Sequence, residues 1–306
     1  MKIINGLRPK ELSMPTVLAI GFFDGVHKGH QAVLKAALEL AERIKAEPVV
    51  MTFYPHPMTV LAPDIPVPLL LSQEEKEKII KNMGFHSMMV VKPTSGFLAK
   101  PADCFLADLQ SISQLKGIVT GENFTFGKGA VGNGFLLQKY FKNSSVQVHL
   151  IGLKEEDGRI ISSTGIRETI MAGHMKKAAS LLGRNYVIRG DIIHGFKRGK
   201  NLTGFPTANL RVEKGRIIPK DGVYATRARV RGHSYPAVTN VGRNPTFGNE
   251  TRSIETFIIS FDDNIYDAPF ELEWIDRIRD EIQFAGIDLL KEQIKKDIEE
   301  AKRLLK

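Results

Sequence analysis

Short apolar runs alternate with helical patterns from residue 17 to about 182. The runs Val17–Phe23, Val49–Phe53, Ser87–Val91, Ile118–Gly121 and Val146–Ile151 have strand length and are rich in Val, Ile and Phe. Between the first two, Val33, Ala37, Leu40, Ala41 and Ile44 recur three and four residues apart, which predicts a helix over Gln31–Ala46 with one apolar face. Ser72 and Glu75 have capping-box spacing, Ile79, Ile80 and Met83 continue as an apolar stripe, and Gly84 supplies the stop, so a second helix is predicted from Ser72. Strand alternating with helix predicts an α/β domain on a parallel sheet covered on both faces, with ligands at the carboxyl ends of the strands.

After about Gly183 the pattern changes. Tyr186–Ile193, Val223–Val230, Ala237–Val241, Ile254–Phe261 and Phe270–Ile275 follow one another without intervening helices, which predicts an antiparallel barrel or sandwich. Leu290, Ile294, Ile298, Ala301 and Leu305 then predict one closing helix, Asp288–Lys306. The expected division is 1–182 and 183–306, with the hinge near Leu182–Asn185.

Composition changes this picture little. The 306 residues are 42% apolar and 25% charged, an ordinary globular balance that excludes disordered, collagenous and disulfide-stapled classes. Cys104 is the only cysteine, so neither an intramolecular disulfide nor a Cys-based metal site forms within one chain. No run approaches the roughly 18 apolar residues of a membrane span, and the amino terminus has no secretory pattern, so a cytoplasmic protein is expected. Charge is informative: the net value is +9, and residues 184–231 carry 12 basic and 3 acidic side chains. A polyanion is the expected partner, although Arg227, Arg229 and Arg231, at strand period two, read equally well as a solvated strand face.

Candidate chemistry sits at the strand ends. The first strand runs into GFFDGVHKGH, in which Gly25 and Gly29 let the backbone turn tightly and approach a ligand, with His27 and His30 at a helix start. Histidines three apart on a first helical turn can face one phosphate; the alternatives are metal ligands, for which no third ligand stands nearby at a convincing spacing, or simple surface residues. TFYPHP offers His56 and Pro57 in a rigid loop, GENFTFGKG offers Asn123, and ISSTGIR puts Ser163 and Thr164 at a helix start with Arg167 one turn in. In the second half, GDIIHGFKRGKNLTGFPTANL has a Gly-rich basic loop with Gly195, Lys197 and Gly199 that departs from the P-loop pattern. Thr207 and Asn209, two apart, can point the same way from an extended segment and hold Mg²⁺ and phosphate oxygens.

Taken in order, GFFDGVHKGH, TFYPHP, GENFTFG and ISSTGIR resemble the adenylyltransferase domain of bacterial bifunctional riboflavin kinase/FMN adenylyltransferases, also called FAD synthetases. GFPTANL, GVYA, NVGRNPTFG, IETF and IRDEIQF are similar to the riboflavin kinase domain of the same family. The resemblance implies a Rossmann-like nucleotidyltransferase domain over 1–182 and a small β-barrel kinase domain with a C-terminal helix over 183–306. It implies ATP-dependent phosphorylation of riboflavin to FMN, with ADP released, and adenylylation of FMN to FAD, with pyrophosphate released, Mg²⁺ accompanying ATP. By the same resemblance His27 and His30 contact ATP phosphates, and Gly21, Phe22, Asp24, Gly25, Asn123, Ser163, Thr164, Arg167, Gly195, Lys197 and Gly199 line the ATP sites. His56, Pro57, Asn123 and Arg279 lie by flavin, Thr207 and Asn209 bind metal and phosphate, and Glu255 is the general base. The sequence departs from the family's usual residues at Asn123, Thr125, Gly165 and Phe257.

Two rival functions are weighed. Another nucleotidyltransferase with a passive barrel leaves GFPTAN and Glu255 unexplained. A nucleic-acid-binding barrel would need aromatic residues to stack bases, and the basic segment 184–231 holds only Tyr186, Phe196, Phe205 and Tyr224. Neither nucleic acid nor a membrane is therefore expected as partner, and the oligomeric state is left open.

Overall fold

The structure is a computed structural model that describes all residues except 8–11, 194–203, 244–251, 264 and 266–268. Backbone contacts divide it into two compact units, Met1–Ser163 and Thr164–Lys306.

The first unit is built on a six-stranded parallel sheet. Its strands are β1 (Lys2–Asn5), β2 (Thr16–Ile20), β3 (Glu47–Phe53), β4 (Ser87–Val91), β5 (Leu115–Gly121) and β6 (Gln147–Ile151), in the spatial order β1-β4-β3-β2-β5-β6. The five expected runs are all present; the sixth strand, Lys2–Asn5, pairs in parallel with Ser87–Val91 at the edge. Every residue of β2 is buried, as expected for a strand covered on both faces. Alternation assigns its side chains: Leu18 and Ile20 join a core with Phe105, Leu109 and Phe141, while Val17 and Ala19 join another with Leu34, Leu40 and Ile80. A fully buried aliphatic side chain stabilises by about 1.5–3 kcal/mol, so both layers clamp the central strands whose ends carry the site.

The helix α1 spans Lys28–Arg43 and buries Val33, Leu34, Ala37, Leu40 and Ala41, the face the periodicity predicted. It starts three residues earlier than Gln31 because His27 is its N-cap, with extended dihedrals and a side chain that accepts from the His30 N–H. The two histidines therefore belong to the helix terminus itself. The helix α2, Gln73–Asn82, has the predicted capping box: the Glu75 N–H donates to Ser72 Oγ at 3.2 Å, and the Ser72 N–H donates to Glu75 Oε2 at 2.8 Å.

In the second unit the helical stretch Ser163–Met171, whose first residue falls in the first unit, and the helix Met175–Leu182 precede a closed antiparallel barrel. Its strands are β7 (Tyr186–Ile193), β8 (Ala208–Val212), β9 (Gly222–Val230), β10 (His233–Arg243), β11 (Arg252–Ile258) and β12 (Phe270–Arg279), closed in the order β7-β8-β11-β10-β9-β12. A barrel rather than a sandwich is thus formed. Five strands were expected; the sixth, Ala208–Val212, is the short segment whose residues stood out for chemistry rather than periodicity. The interior holds Trp274 packed edge-on against Tyr224 at 5.1 Å and a chain of buried hydroxyls, Thr226 to Thr239 at 2.8 Å and Thr239 to Thr256 at 3.0 Å. The closing helix α3, Ile287–Leu304, lays Ile298 and Ala301, with Leu305 just beyond, against Val223, Ala225 and Val238 on the outer face.

Strand alternation also settles part of the basic segment. Arg229 is exposed and pairs with Glu271 at 3.3 Å, and Arg227 donates to the Leu305 carbonyl at 2.6 Å. Trp274 is the chain's single tryptophan, so its fluorescence reports the second unit alone. Replacing Ser72 by Ala should remove about 1 kcal/mol from the first unit. Urea unfolding followed by circular dichroism should show that loss while the Trp274 transition stays in place.

Candidate active sites

The first site is the turn from β2 into α1. Gly21 has no room for a side chain, since a Cβ there would lie 2.8 Å from the Phe23 ring. The backbone then passes through positive φ at Phe23 (57°), Gly25 (82°) and Val26 (38°) before entering the helix at His27. Non-glycine residues rarely take such values, so the turn has to be held by its surroundings. Thr52 Oγ1 on β3 donates to the Phe22 carbonyl at 2.9 Å, and Lys76 Nζ on α2 donates to the same oxygen at 3.2 Å. The buried Asp24 carboxylate accepts from the Leu70 and Leu71 N–H groups at 3.1–3.2 Å, and Ser163 Oγ donates to the Asp24 carbonyl at 2.9 Å.

The histidines are ordered by this turn. Their rings stack at 3.6 Å, and the His30 ring also meets the edge of Phe23 at 5.4 Å. His27 Nδ1 accepts from the His30 backbone at 3.3 Å, which places the His27 ring proton on Nε2 in the neutral form. A helix N-terminus with a positive dipole end and imidazole donors is a ready anion site. Among the described residues no group of three His, Cys, Asp or Glu could hold a metal ion, so the metal-ligand alternative for these histidines lacks its other ligands.

His56 follows the end of β3 and Asn123 the end of β5. His56 meets Phe22 edge-on at 4.1 Å, and its Nδ1 accepts from the Met58 N–H at 3.1 Å. Phe22 and Phe23 thus connect the turn to His56 and His30 respectively. Pro57 is half-buried beside it, and Asn123 is exposed just beyond β5. A Cβ at Gly121 would lie 2.9 Å from Asn123 Oδ1, so the absence of a side chain there leaves the Asn123 amide its place. Ser163 binds the Asp24 carbonyl, whereas Thr164, exposed, and Arg167, half-buried, belong to the second unit.

The second site lies on the outer face of the barrel, beneath α3. Register sets it: Asn209 of β8 and Asn240 of β10 both pair with Glu255 of β11, and Val223 of β9 pairs with Asn240 on one side and Arg279 on the other. One row around the barrel therefore carries Asn209, Glu255, Asn240 and Arg279. A cavity of about 430 Å³ opens over it, lined by Thr207, Asn240, Glu255 and Arg279 together with Phe205, Phe257, Ile282 and Phe284. Burial pushes the Glu255 carboxyl above its ordinary value, and a hydrogen bond from Ser253 opposes the shift. Arg279 is gripped by Asp297 of α3, Nε donating to Oδ1 at 2.9 Å and Nη2 to Oδ2 at 2.7 Å. Gly195, Lys197 and Gly199 lie outside the described residues.

Sequence reading missed Asn240, Asp297 and the aromatic wall of this cavity. Asn240 was present within NVGRNPTFG, but only strand pairing shows that it flanks Glu255. Asp297 sits on the apolar stripe side of α3, where an acidic residue is a signal of a buried cationic partner.

Comparison with known proteins places each site in a transferase domain. Residues 10–165 match the FAD synthetase family and residues 182–305 the riboflavin kinase family. Over nearly its whole length the chain is 38% identical to the bifunctional riboflavin kinase/FMN adenylyltransferase of Bacillus subtilis (strain 168), covering 99% of this chain and 98% of that one. It is 32% identical to the protein of the same name from Escherichia coli (strain K12), covering 97% and 96%. A crystal structure described as a macrolide-efflux protein from Streptococcus pneumoniae superposes with a TM-score of 0.90 at 33% identity, covering 99% of both chains. That likeness is one of fold; among the described residues no helix is long and apolar enough to cross a membrane. The chain belongs to the bifunctional riboflavin kinase/FMN adenylyltransferase family.

The Arg279–Asp297 pair gives this site a measurable structural dependence. Asp297 is 3% exposed, so Asp297→Ala would strand a largely buried guanidinium and should cost about 3 kcal/mol of second-unit stability. Denaturant unfolding monitored at Trp274 measures it directly.

Proposed function

We propose that residues 183–306 phosphorylate riboflavin to FMN and that residues 1–182 adenylylate FMN to FAD, both at the expense of ATP. The observation that carries this reading is the pair of unlike sites: a helix N-terminus with two stacked histidines, and a desolvated carboxylate on a barrel strand.

In the barrel, Glu255 takes the proton of the ribityl 5′-hydroxyl as that oxygen forms a bond to the γ-phosphorus and the bond to the ADP oxygen breaks. A carboxylate flanked by Asn209 and Asn240 in register is held in place by two strands, and transfer of this kind depends mainly on positioning and electrostatics. The aromatic lining of the cavity suits the apolar faces of an isoalloxazine ring, with Arg279 at its rim. Thr207 and Asn209 supply neutral, hard oxygen donors, which fit Mg²⁺ that takes its remaining ligands from phosphate and water. When bound, the ion neutralises phosphate charge.

In the first domain the FMN phosphate is already a nucleophile. Its oxygen attacks the α-phosphorus of ATP and pyrophosphate leaves, so the protein has only to align the two phosphates and meet the growing negative charge. His27 and His30, the amides of the first turn of α1, and the loop residues Gly21, Phe22, Asp24 and Gly25 do this, with Asn123 and Ser163 around the nucleotide and His56 and Pro57 toward the flavin. Asp24 contributes by holding the turn through the Leu70 and Leu71 amides. The basic residues not engaged in contacts such as Arg229–Glu271 and Arg227–Leu305 serve nucleotide and flavin phosphates rather than nucleic acid, and a cytoplasmic setting suits these substrates.

Glu255→Gln should lower FMN formation by about 10²–10⁴-fold while FAD formation from added FMN persists. The double change His27→Ala with His30→Ala should do the reverse, and assays of both half-reactions on both variants separate the sites. Because burial raises the Glu255 carboxyl, its base form is lost on acidification at a higher pH than for an exposed glutamate. The acid limb of the kinase rate should therefore lie above the ordinary carboxylate range and vanish with FAD formation as the readout.

A further inference from the structure

We propose that Lys76, on the helix α2, is a positioning residue for adenylyl transfer: its buried ammonium group holds Phe22, and through it the phosphate-binding turn and His56, in the receiving geometry. The inference rests on the adenylyltransferase reading of the first domain. It assigns a role to a side chain outside every motif quoted above.

Lysine is almost never fully buried unless paired, yet Lys76 is 4% exposed. Its Nζ lies 3.2 Å from the Phe22 carbonyl, 3.4 Å from Thr52 Oγ1 and 4.7 Å from the centre of the Phe22 ring. The three contacts match three ammonium protons: one to a carbonyl, one to the hydroxyl that itself donates to that carbonyl, and one to a π face. Two of them fall on Phe22 and the third on the hydroxyl bonded to it, and Phe22 is the residue whose ring meets His56. Phe22 is also the last residue before the positive-φ stretch that delivers His27 to the helix cap. A methionine could fill the same space without burying a charge; what lysine adds is a charged donor beneath the turn.

The charge is poised. Desolvation is the largest influence and brings the ammonium down from 10.5 to about 8, while the Asp24 carboxylate of the turn and Glu77 on the same helix hold it up. Of the other groups packed nearby, Thr52 is neutral, the Glu75 carboxylate is bonded to the Ser72 N–H, and His56 packs edge-on with the Phe22 ring. Below about pH 8 the ammonium is intact and the turn is held. Above it the proton is lost, the cation–π contact disappears and the Phe22 carbonyl keeps only a neutral donor beside Thr52. Because the folded-state value lies below that of an unfolded lysine, the charged residue subtracts stability at neutral pH, and this penalty is relieved as pH rises from about 8 toward 10.5.

The test measures FAD formation from FMN and ATP between pH 6.5 and 9.5 in the wild type, Lys76→Met and Lys76→Arg, with FMN formation from riboflavin in the same samples. Wild-type kcat/KM for FMN should fall about tenfold per pH unit above pH 8. Lys76→Met should be at least about tenfold slower at pH 7, show no such limb, and melt no lower than the wild type at that pH, which a purely structural lysine would not allow. Lys76→Arg, charged throughout, should also lose the limb while keeping more activity than the methionine variant. Kinase activity should be unchanged in all three. The assignment is overturned if the wild type has no alkaline limb, if either variant retains it, if the methionine variant stays within twofold of wild type at pH 7, or if both half-reactions fall together.

Discussion

Between Gly21 and His27 the backbone must turn through left-handed conformations at Phe23, Gly25 and Val26 and still arrive at a helix cap. Two of those three residues have a Cβ, and strain of this kind costs about 1–3 kcal/mol per residue. The compensation comes from distant parts of the chain. Thr52, Lys76, the Leu70 and Leu71 amides and Ser163 each make a hydrogen bond to Phe22 or Asp24, contributing about 1 kcal/mol apiece and somewhat more where a charge is involved. The parallel sheet exists, in functional terms, to bring these donors and acceptors to one strand end. Once the turn is held, the helix N-terminus and the stacked histidines follow without further machinery.

The barrel solves a related problem by different means. Closure fixes the register of every strand, and register alone aligns Asn209, Glu255 and Asn240 in one row. The closing helix then supplies both an apolar lid and the carboxylate that fixes Arg279. Burial at the cavity wall raises the Glu255 carboxyl, so the place of the carboxylate in the fold also sets its basicity. In the chemistry proposed for them the two units use opposite means of handling phosphate: backbone amides and imidazoles in one, a buried carboxylate and neutral oxygens in the other.

Much of this was legible in the sequence where a feature is local. The apolar stripe of Lys28–Arg43 and the Ser72–Glu75 capping box depend on residues within one or two turns of each other, and both formed as read. The start of α1 was misplaced because histidine is an unusual N-cap and its role required seeing the cap geometry. The edge strand Lys2–Asn5 (KIIN) and the barrel strand Ala208–Val212 (ANLRV) lack the near-continuous apolar run that marks the other strands, and owe their existence to pairing with other strands. Lys76 and Asp297 were invisible for the same reason. On a helix, a charged residue reads as solvent-facing until the structure shows what lies opposite it.

The central claim is that two chemically different phosphate sites act in sequence on one flavin. The most direct measurement incubates the purified chain with riboflavin, ATP and Mg²⁺ and follows flavins by chromatography over time. FMN should accumulate first and then decline as FAD grows, and omission of riboflavin with FMN supplied should give FAD at once. If riboflavin is consumed without FMN or FAD appearing, or remains unchanged while the protein is folded, the account is wrong.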